Sequence, residues 1–258
     1  MQTDTRLQAF GELLKIMDEL REKCPWDREQ TTESIRHLTI EETYELSDAI
    51  LNNDPDEIKK ELGDILLHIV FYAKIGSERG EYDIEAVIRQ LCEKLIRRHP
   101  HIYGEVVAEN SDAVKQNWEQ IKLKEKGPGR KSVLAGVPNS MPSLVKAYRM
   151  QEKAAQVGFD WENGDQVWTK VEEELQEFKT ATSEHEKEEE FGDLLFSLVN
   201  YARFKNINSD DALEKTNLKF RKRFDYIERK AEEQGLELKT IGLEQMDKWW
   251  NEAKSIDK

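Results

Sequence analysis

The sequence predicts an all-α fold built as two tandem helical bundles, and three observations carry that expectation. Apolar residues recur at helical spacing between successive turn signals, no alternating β pattern of useful length occurs, and one long stretch is written twice. Residues 61–74 (ELGDILLHIVFYAK) lie over residues 190–203 (EFGDLLFSLVNYAR) with seven of fourteen positions identical. Upstream, Glu41-Glu42-x-x-Glu45 matches Glu173-Glu174-x-x-Glu177, and Cys24-Pro25-Trp26-Asp27 matches Val157-Gly158-Phe159-Asp160. Downstream, Lys94-x-x-x-Arg98 matches Lys219-x-x-x-Arg223, and Trp118-x-x-x-Lys122 matches Trp250-x-x-x-Lys254. The repeated unit is far longer than a solenoid repeat of about 20–50 residues. A chain of 258 residues then divides into domains over 1–126 and 144–258, joined by a linker over 127–143.

The elements follow in order from local signals. Leu7, Phe10, Leu13, Leu14 and Met17 mark a first helix that Pro25 stops. Thr31 and Thr32 precede a second amphipathic run over 33–51, which Asn52-Asn53-Asp54-Pro55 ends. Asp54 or Asp56 caps a third run through Lys74, and Gly80 separates it from a fourth over 84–98. His99-Pro100-His101 breaks the pattern. The segment 127–143 holds Pro128, Pro138 and Pro142 with Gly127, Gly129 and Gly136, which is linker composition. The second unit repeats the order. A helix starts at Leu144, a break falls at Gly158-Phe159-Asp160, and an acidic helix begins near Gln166. The helix carrying Glu190, a basic helix to Glu233 and a closing segment with Trp249 and Trp250 complete it.

Composition narrows the function. At 38% hydrophobic and 36% charged residues, each unit has a modest core and a heavily charged surface. The net charge of −14 opposes sequence-independent binding to nucleic acid polymers or anionic membranes. No stretch approaches the roughly 18 apolar residues of a membrane span and no signal-peptide core is evident, so a cytoplasmic protein is expected. Cys24 and Cys92 have no counterparts in the second unit and suggest neither disulfides nor a thiolate metal site.

The acidic motifs carry the chemistry. Glu42 and Glu45 are three apart, as are Glu61 and Asp64, so a helix pair presents four carboxylates to a common point. Glu174, Glu177, Glu190 and Asp193 do the same in the second unit. Four like charges so close need a cation or protons between them, and oxygen-only ligation points to Mg²⁺ or Mn²⁺. Gly63 and Gly192 each cost a helix interior about 1 kcal/mol relative to alanine, and close helix approach at the metal site is the expected reason. The Lys-Arg pairs, Lys94 with Arg98 and Lys219 with Arg223, read either as solvated faces or as contacts to phosphate oxygens. Trp118 and Trp250 either stack on a base or close the core. A di-iron centre wants Glu-x-x-His on two helices, which neither motif has. His68 follows Asp64 by one turn, but Ser197 holds the equivalent place, so a core histidine is the expectation. Purely solvated acidic faces leave the paired spacings unexplained.

Taken together, the two Glu-Glu-x-x-Glu and Glu-x-x-Asp pairs, residues 97–104 (RRHPHIYG), Asn117-Trp118-Glu119, Gly136-Val137-Pro138 and Val157-Gly158-Phe159-Asp160 resemble the MazG family of nucleoside triphosphate pyrophosphohydrolases. The likeness spans nearly the whole chain. It implies Mg²⁺-dependent hydrolysis of nucleoside triphosphates between the α and β phosphates, with a broad base range. By the same resemblance, Glu174, Glu177, Glu190 and Asp193 are the ligands and Glu173 orients or deprotonates water. Lys219 and Arg223 neutralise the triphosphate, Trp250 lies near the base, and Lys170 and Lys187 are further phosphate contacts. The resemblance assigns catalysis mainly to the C-terminal unit and implies a homodimer that covers Leu194, Phe196, Leu198 and Tyr201. The first unit nonetheless keeps its acids and both basic positions. Its Glu45-to-Glu61 connection is longer, 15 residues against 12 between Glu177 and Glu190. A metal-binding regulatory protein without turnover is the competing class, and pyrophosphate release separates the two.

Overall fold

The computed structural model describes residues 4–106, 110, 114, 117, 118, 121, 125 and 132–256. Among them every regular element is a helix, so the fold is all-α. Lys122, Glu119 and the linker residues 127–131 lie outside the described residues. The chain divides into two compact units, Met1–Lys122 and Leu123–Lys258.

The first unit runs α1 (Thr5–Lys23), α2 (Pro25–Glu29), α3 (Arg36–Leu51), α4 (Pro55–Glu78), α5 (Ile84–Arg98) and a short α6 (Pro100–Tyr103). Helix α3 starts at Arg36, three residues later than the sequence suggests. Thr31 and Ser34 exchange side-chain to backbone hydrogen bonds at 2.8 and 3.2 Å, and that local turn outcompetes the first helical turn. Asp54, not Asp56, caps α4: its carboxylate accepts from the Asp56 and Glu57 amides, with Pro55 at the first helical position. Asn53 before it takes φ 53°, which lets the chain reverse and lay α4 back along α3. The core joins Met17 of α1 and Ile35 to Val70, Phe71 and Ile75 of α4, with Leu38 and Leu67 packed against it. The partly buried Arg21 fastens α1 over this core. Its guanidinium lies 5.5 Å from the Phe71 ring centre, pairs with Glu78 at 2.5 Å and donates to the Asp27 and Gln30 carbonyls.

The second unit runs α7 (Ser143–Ala155), α8 (Gly164–Thr180), α9 (Glu184–Phe204), α10 (Ser209–Glu233) and α11 (Leu243–Ile256). The described end of the linker forms a 3₁₀ turn over Val133–Gly136 that packs on α7. Gly158, at φ 87°, makes the break that the sequence places there. Helices α8 and α9 are the central pair, turned by a full capping box: the Ser183 hydroxyl accepts from the Glu186 amide while Glu186 reaches back to the Ser183 amide. Two further bonds from Thr182 help hold the Glu186 carboxyl down at about 2. The cap's contribution is therefore present above the usual carboxylate range and is lost only as pH falls through about 2. A second core gathers Ile227 and Ala231 of α10 with Trp249 of α11.

One expectation fails here. A side chain at Gly63 or Gly192 would meet nothing within 4 Å, so neither glycine serves a close approach within its unit. Such an approach occurs instead at Gly76, where an added Cβ would sit 2.6 Å from the Tyr82 ring.

Candidate active site

Each central helix pair brings its acids together. Carboxylate oxygens of Glu42, Glu45 and Glu61 lie within 4.8 Å of one another, and so do those of Glu174, Glu177 and Glu190. The fourth acid of each motif stands close by, since the charges of Asp64 and Asp193 help raise the Glu42 and Glu190 carboxyls. In both cases burial is the larger cause.

The two clusters differ in what answers their charge. Lys60, next to Glu61, bonds its Oε1 at 2.8 Å and holds that carboxyl below its ordinary value, although the residue is only 2% exposed. The matching neighbour of Glu190 is Glu189, and its charge raises the Glu190 carboxyl further. The second cluster draws its cation from the other helix. Lys170 Nζ sits 2.7 Å from Glu174 and 2.8 Å from Glu173, and the pair of carboxylates pushes its ammonium up.

Both sets fit a hard divalent cation. They offer carboxylate oxygens only, at ligand spacing, and buried Glu61 Oε2 has no hydrogen-bond partner. Among these acids, Glu42 and Glu190 are raised first by burial and then by the charges of the neighbouring carboxylates.

In the second unit a cavity opens against the acids. A space of about 590 Å³ opens beside Glu174, Asp193 and Lys170, with walls that include Met150, Ala154, Val167 and Phe196. That volume suits a nucleoside-sized ligand. At the matching repeat positions the first unit has Met17, Arg21, Ile35 and Leu67, with Leu38 for Lys170 and Phe71 for Asn200. Larger or apolar side chains there form the packed core and its Arg21 clamp, so the space is filled.

Of the predicted basic and aromatic residues, Lys170 lines this cavity, and those that follow lie away from it. Arg223 of α10 lies 5.5 Å from the Trp250 ring centre, and Phe220 packs on the same ring at 5.2 Å. Arg98 over Trp118 at 5.8 Å repeats that contact in the first unit. Lys219 is exposed on α10 and Lys94 is half-buried on α5. Lys187 pairs with Glu184 at 2.8 Å in the first turn of α9. None of these lines the cavity. His68 is buried and lies close enough to Asp64 to feel its charge, and burial lowers its imidazole's proton affinity.

Sequence reasoning missed Asn200, Gln151 and the Asp160–Arg203 pair. All four line the cavity, and Arg203 bonds both Asp160 oxygens at 2.5 and 3.0 Å. A signal was available. Asn200 replaces a phenylalanine within the best-matched stretch of the repeat, and a polar residue in a core register asks for a partner.

Fold and site together define an all-α protein whose paired helices converge carboxylates able to hold a divalent cation. A family model described as the MazG nucleotide pyrophosphohydrolase domain matches residues 30–103. The chain is 48% identical over 250 residues to the nucleoside triphosphate pyrophosphohydrolase/pyrophosphatase MazG of Thermotoga maritima, covering 96% of each. It is 42% identical over 257 residues to the nucleoside triphosphate pyrophosphohydrolase of Escherichia coli K12, covering 96% of this chain and 98% of that one. A Mycobacterium tuberculosis protein of the same name is 36% identical over 155 residues, 59% of this chain and 47% of its own. The chain belongs to the MazG family.

Proposed function

We propose that this protein hydrolyses nucleoside triphosphates between the α and β phosphates, releasing a nucleoside monophosphate and pyrophosphate, and that the second unit does the work. The observation that carries this reading is the cavity beside Glu174 and Asp193, at a place that core side chains occupy in the first unit. Glu174, Glu177 and Glu190, with Asp193 alongside, would hold Mg²⁺, or Mn²⁺ in its place. A cation there supplies charge neutralisation and polarises the phosphoryl oxygens.

The side chains then divide the remaining tasks. Glu173, exposed on α8 and held by Lys170, orients the attacking water and takes its proton. Water oxygen bonds to the α or the β phosphorus as the P–O bond to the oxygen bridging them breaks, and the departing group, pyrophosphate in the first case and the monophosphate in the second, carries away the electron pair. Lys170, paired with Glu173 and Glu174 and lining the cavity, would meet phosphate oxygens. Lys219, Arg223 and Trp250, with Lys187 at the start of α9, are assigned to the triphosphate and base on the strength of the family likeness. Lys94 and Arg98 are the matching set in the first unit.

Incubating the protein with each triphosphate and Mg²⁺ should give monophosphate and pyrophosphate in equal amounts by ³¹P NMR, and none with chelator. Orthophosphate and diphosphate as products would place the cleavage elsewhere and sink the reading.

The unit boundaries over 1–126 and 144–258, as copies of one duplicated domain, belong to the same proposal, supported by matched helices, caps and cation–π pairs. So does a homodimer. Helix α9 exposes Phe191, Leu195 and Leu198 one turn apart, and α4 exposes Leu62, Leu66 and Ile69 at the same repeat positions. Beside each stripe lies a glycine with open space before it, room for a second helix backbone. The stripe differs from the expected one, because Phe196 lines the cavity and Tyr201 packs on Trp168 at 4.8 Å. Sedimentation at micromolar concentration should return twice the 30.2 kDa chain mass, and a monomer would exclude this pairing.

A further inference from the structure

Asn200 sits in the cavity wall with its amide fixed in one orientation. Its Oδ1 accepts from Arg203 Nε at 3.1 Å and from Nη2 at 2.9 Å. Arg203 cannot turn away, since Asp160 grips the same guanidinium from the other side. With the oxygen so occupied, the Nδ2 group keeps two donors, and no hydrogen bond from it is made among the described residues. The opposite rotamer would aim N–H groups at a guanidinium, so the orientation is set by charge.

Little else polar competes for a ligand's edge in this part of the cavity. The Ser197 hydroxyl donates to the Leu194 carbonyl at 2.9 Å. Gln151, only 6% exposed, donates from Nε2 to the Phe196 carbonyl at 2.8 Å. Its Oε1 is buried with no partner, an acceptor in the cavity wall that small rearrangements could expose to an N–H. Around these groups the walls are apolar, from Met150, Val167 and Phe196.

We infer that Asn200, locked by Arg203 and Asp160, is the residue that sets base preference, favouring bases whose edge presents a carbonyl oxygen, guanine and uracil, over those presenting an amino group, adenine and cytosine. This rests on the cavity being the nucleotide site. A carbonyl oxygen meets the free donors of Nδ2. Next to the carbonyl of such a base lies a ring N–H, the complement of the Gln151 oxygen. An amino group in the same place sets donor against donor, and both groups lose their hydrogen bonds in a water-poor pocket.

The test compares GTP, UTP, ATP and CTP on the full chain with Mg²⁺, for wild type, Asn200→Ala and Asn200→Asp. Wild type should favour the carbonyl bases in kcat/KM by at least about fivefold, the scale of one neutral hydrogen bond. Asn200→Ala should flatten the ratio. Asn200→Asp, which turns one oxygen to Arg203 and the other to the cavity, should reverse it. Calorimetry of GMP and AMP with the metal-free proteins reads the same preference without turnover. If both variants keep the wild-type ratio in rate and in binding, the assignment is overturned. If no triphosphate yields pyrophosphate while GMP still binds better than AMP and Asn200→Asp reverses this, the base assignment stands and the hydrolytic reading fails.

Discussion

Replacing Glu174 by Gln is expected to lower kcat/KM for nucleoside triphosphates by about 100-fold or more, the scale of removing one ligand of a catalytic cation. Glutamine keeps the shape of the side chain, so packing around this 6% exposed position survives. What changes is the charge at the centre of the cluster, where Glu177 and Glu190 converge and Lys170 approaches to 2.7 Å. Lys170 retains Glu173 at 2.8 Å, so the variant leaves no buried cation without a partner. The same change in the first unit, Glu42→Gln, is expected to alter the rate by less than about threefold, because the space beside that cluster is filled. Thermal shifts with added Mg²⁺ report binding separately, since a ligand that binds the folded state raises the melting temperature by mass action. Glu174→Gln should reduce that shift, and Glu190→Gln should do so while raising metal-free stability, because it removes a carboxylate that burial and the charges of its acidic neighbours penalise. If Glu42→Gln abolished turnover and Glu174→Gln did not, the working site would be assigned to the wrong unit.

Much of this arrangement was legible in the residues. Helix periodicity, the Asp54-Pro55 start of α4 and the Gly158 break each follow from one local preference, and local preferences survive into the fold. The acid pairs were legible for the same reason, since a spacing of three on a helix fixes a shared face whatever surrounds it. What could not be read was how burial and packing set the balance of charge and space around each residue. Lys60 and Glu189 occupy matching positions, yet one holds its neighbouring carboxylate down and the other helps push it up. Gly63 and Gly192 were read as marks of close packing and instead face open space, because a glycine's spacing does not say which direction its missing side chain would have pointed. The start of α3 was misjudged by three residues, where a Thr31–Ser34 turn competes with helix through side-chain bonds that propensity does not count.

The repeat also sets two residues with opposite duties at one register, and the largest stability effect follows from that. Phe71 and Asn200 occupy the same position of α4 and α9, seven residues after Asp64 and Asp193. Phe71 is 3% exposed among Met17, Ile35, Val70 and Ile75, with the Arg21 guanidinium over its ring. Phe71→Ala should therefore cost about 3–5 kcal/mol of folding stability, combining lost burial with the cavity left behind. Part of that arises at Arg21, which loses its cation–π contact with the ring. Denaturant unfolding measures the loss, and pyrophosphate release below the transition should be unchanged. A cost under about 1 kcal/mol would mean that this position is not packed as a core. The first unit would then hold an open space beside Glu42 and Glu61 like the one beside Glu174, and the argument that filled volume silences it would fall with the number.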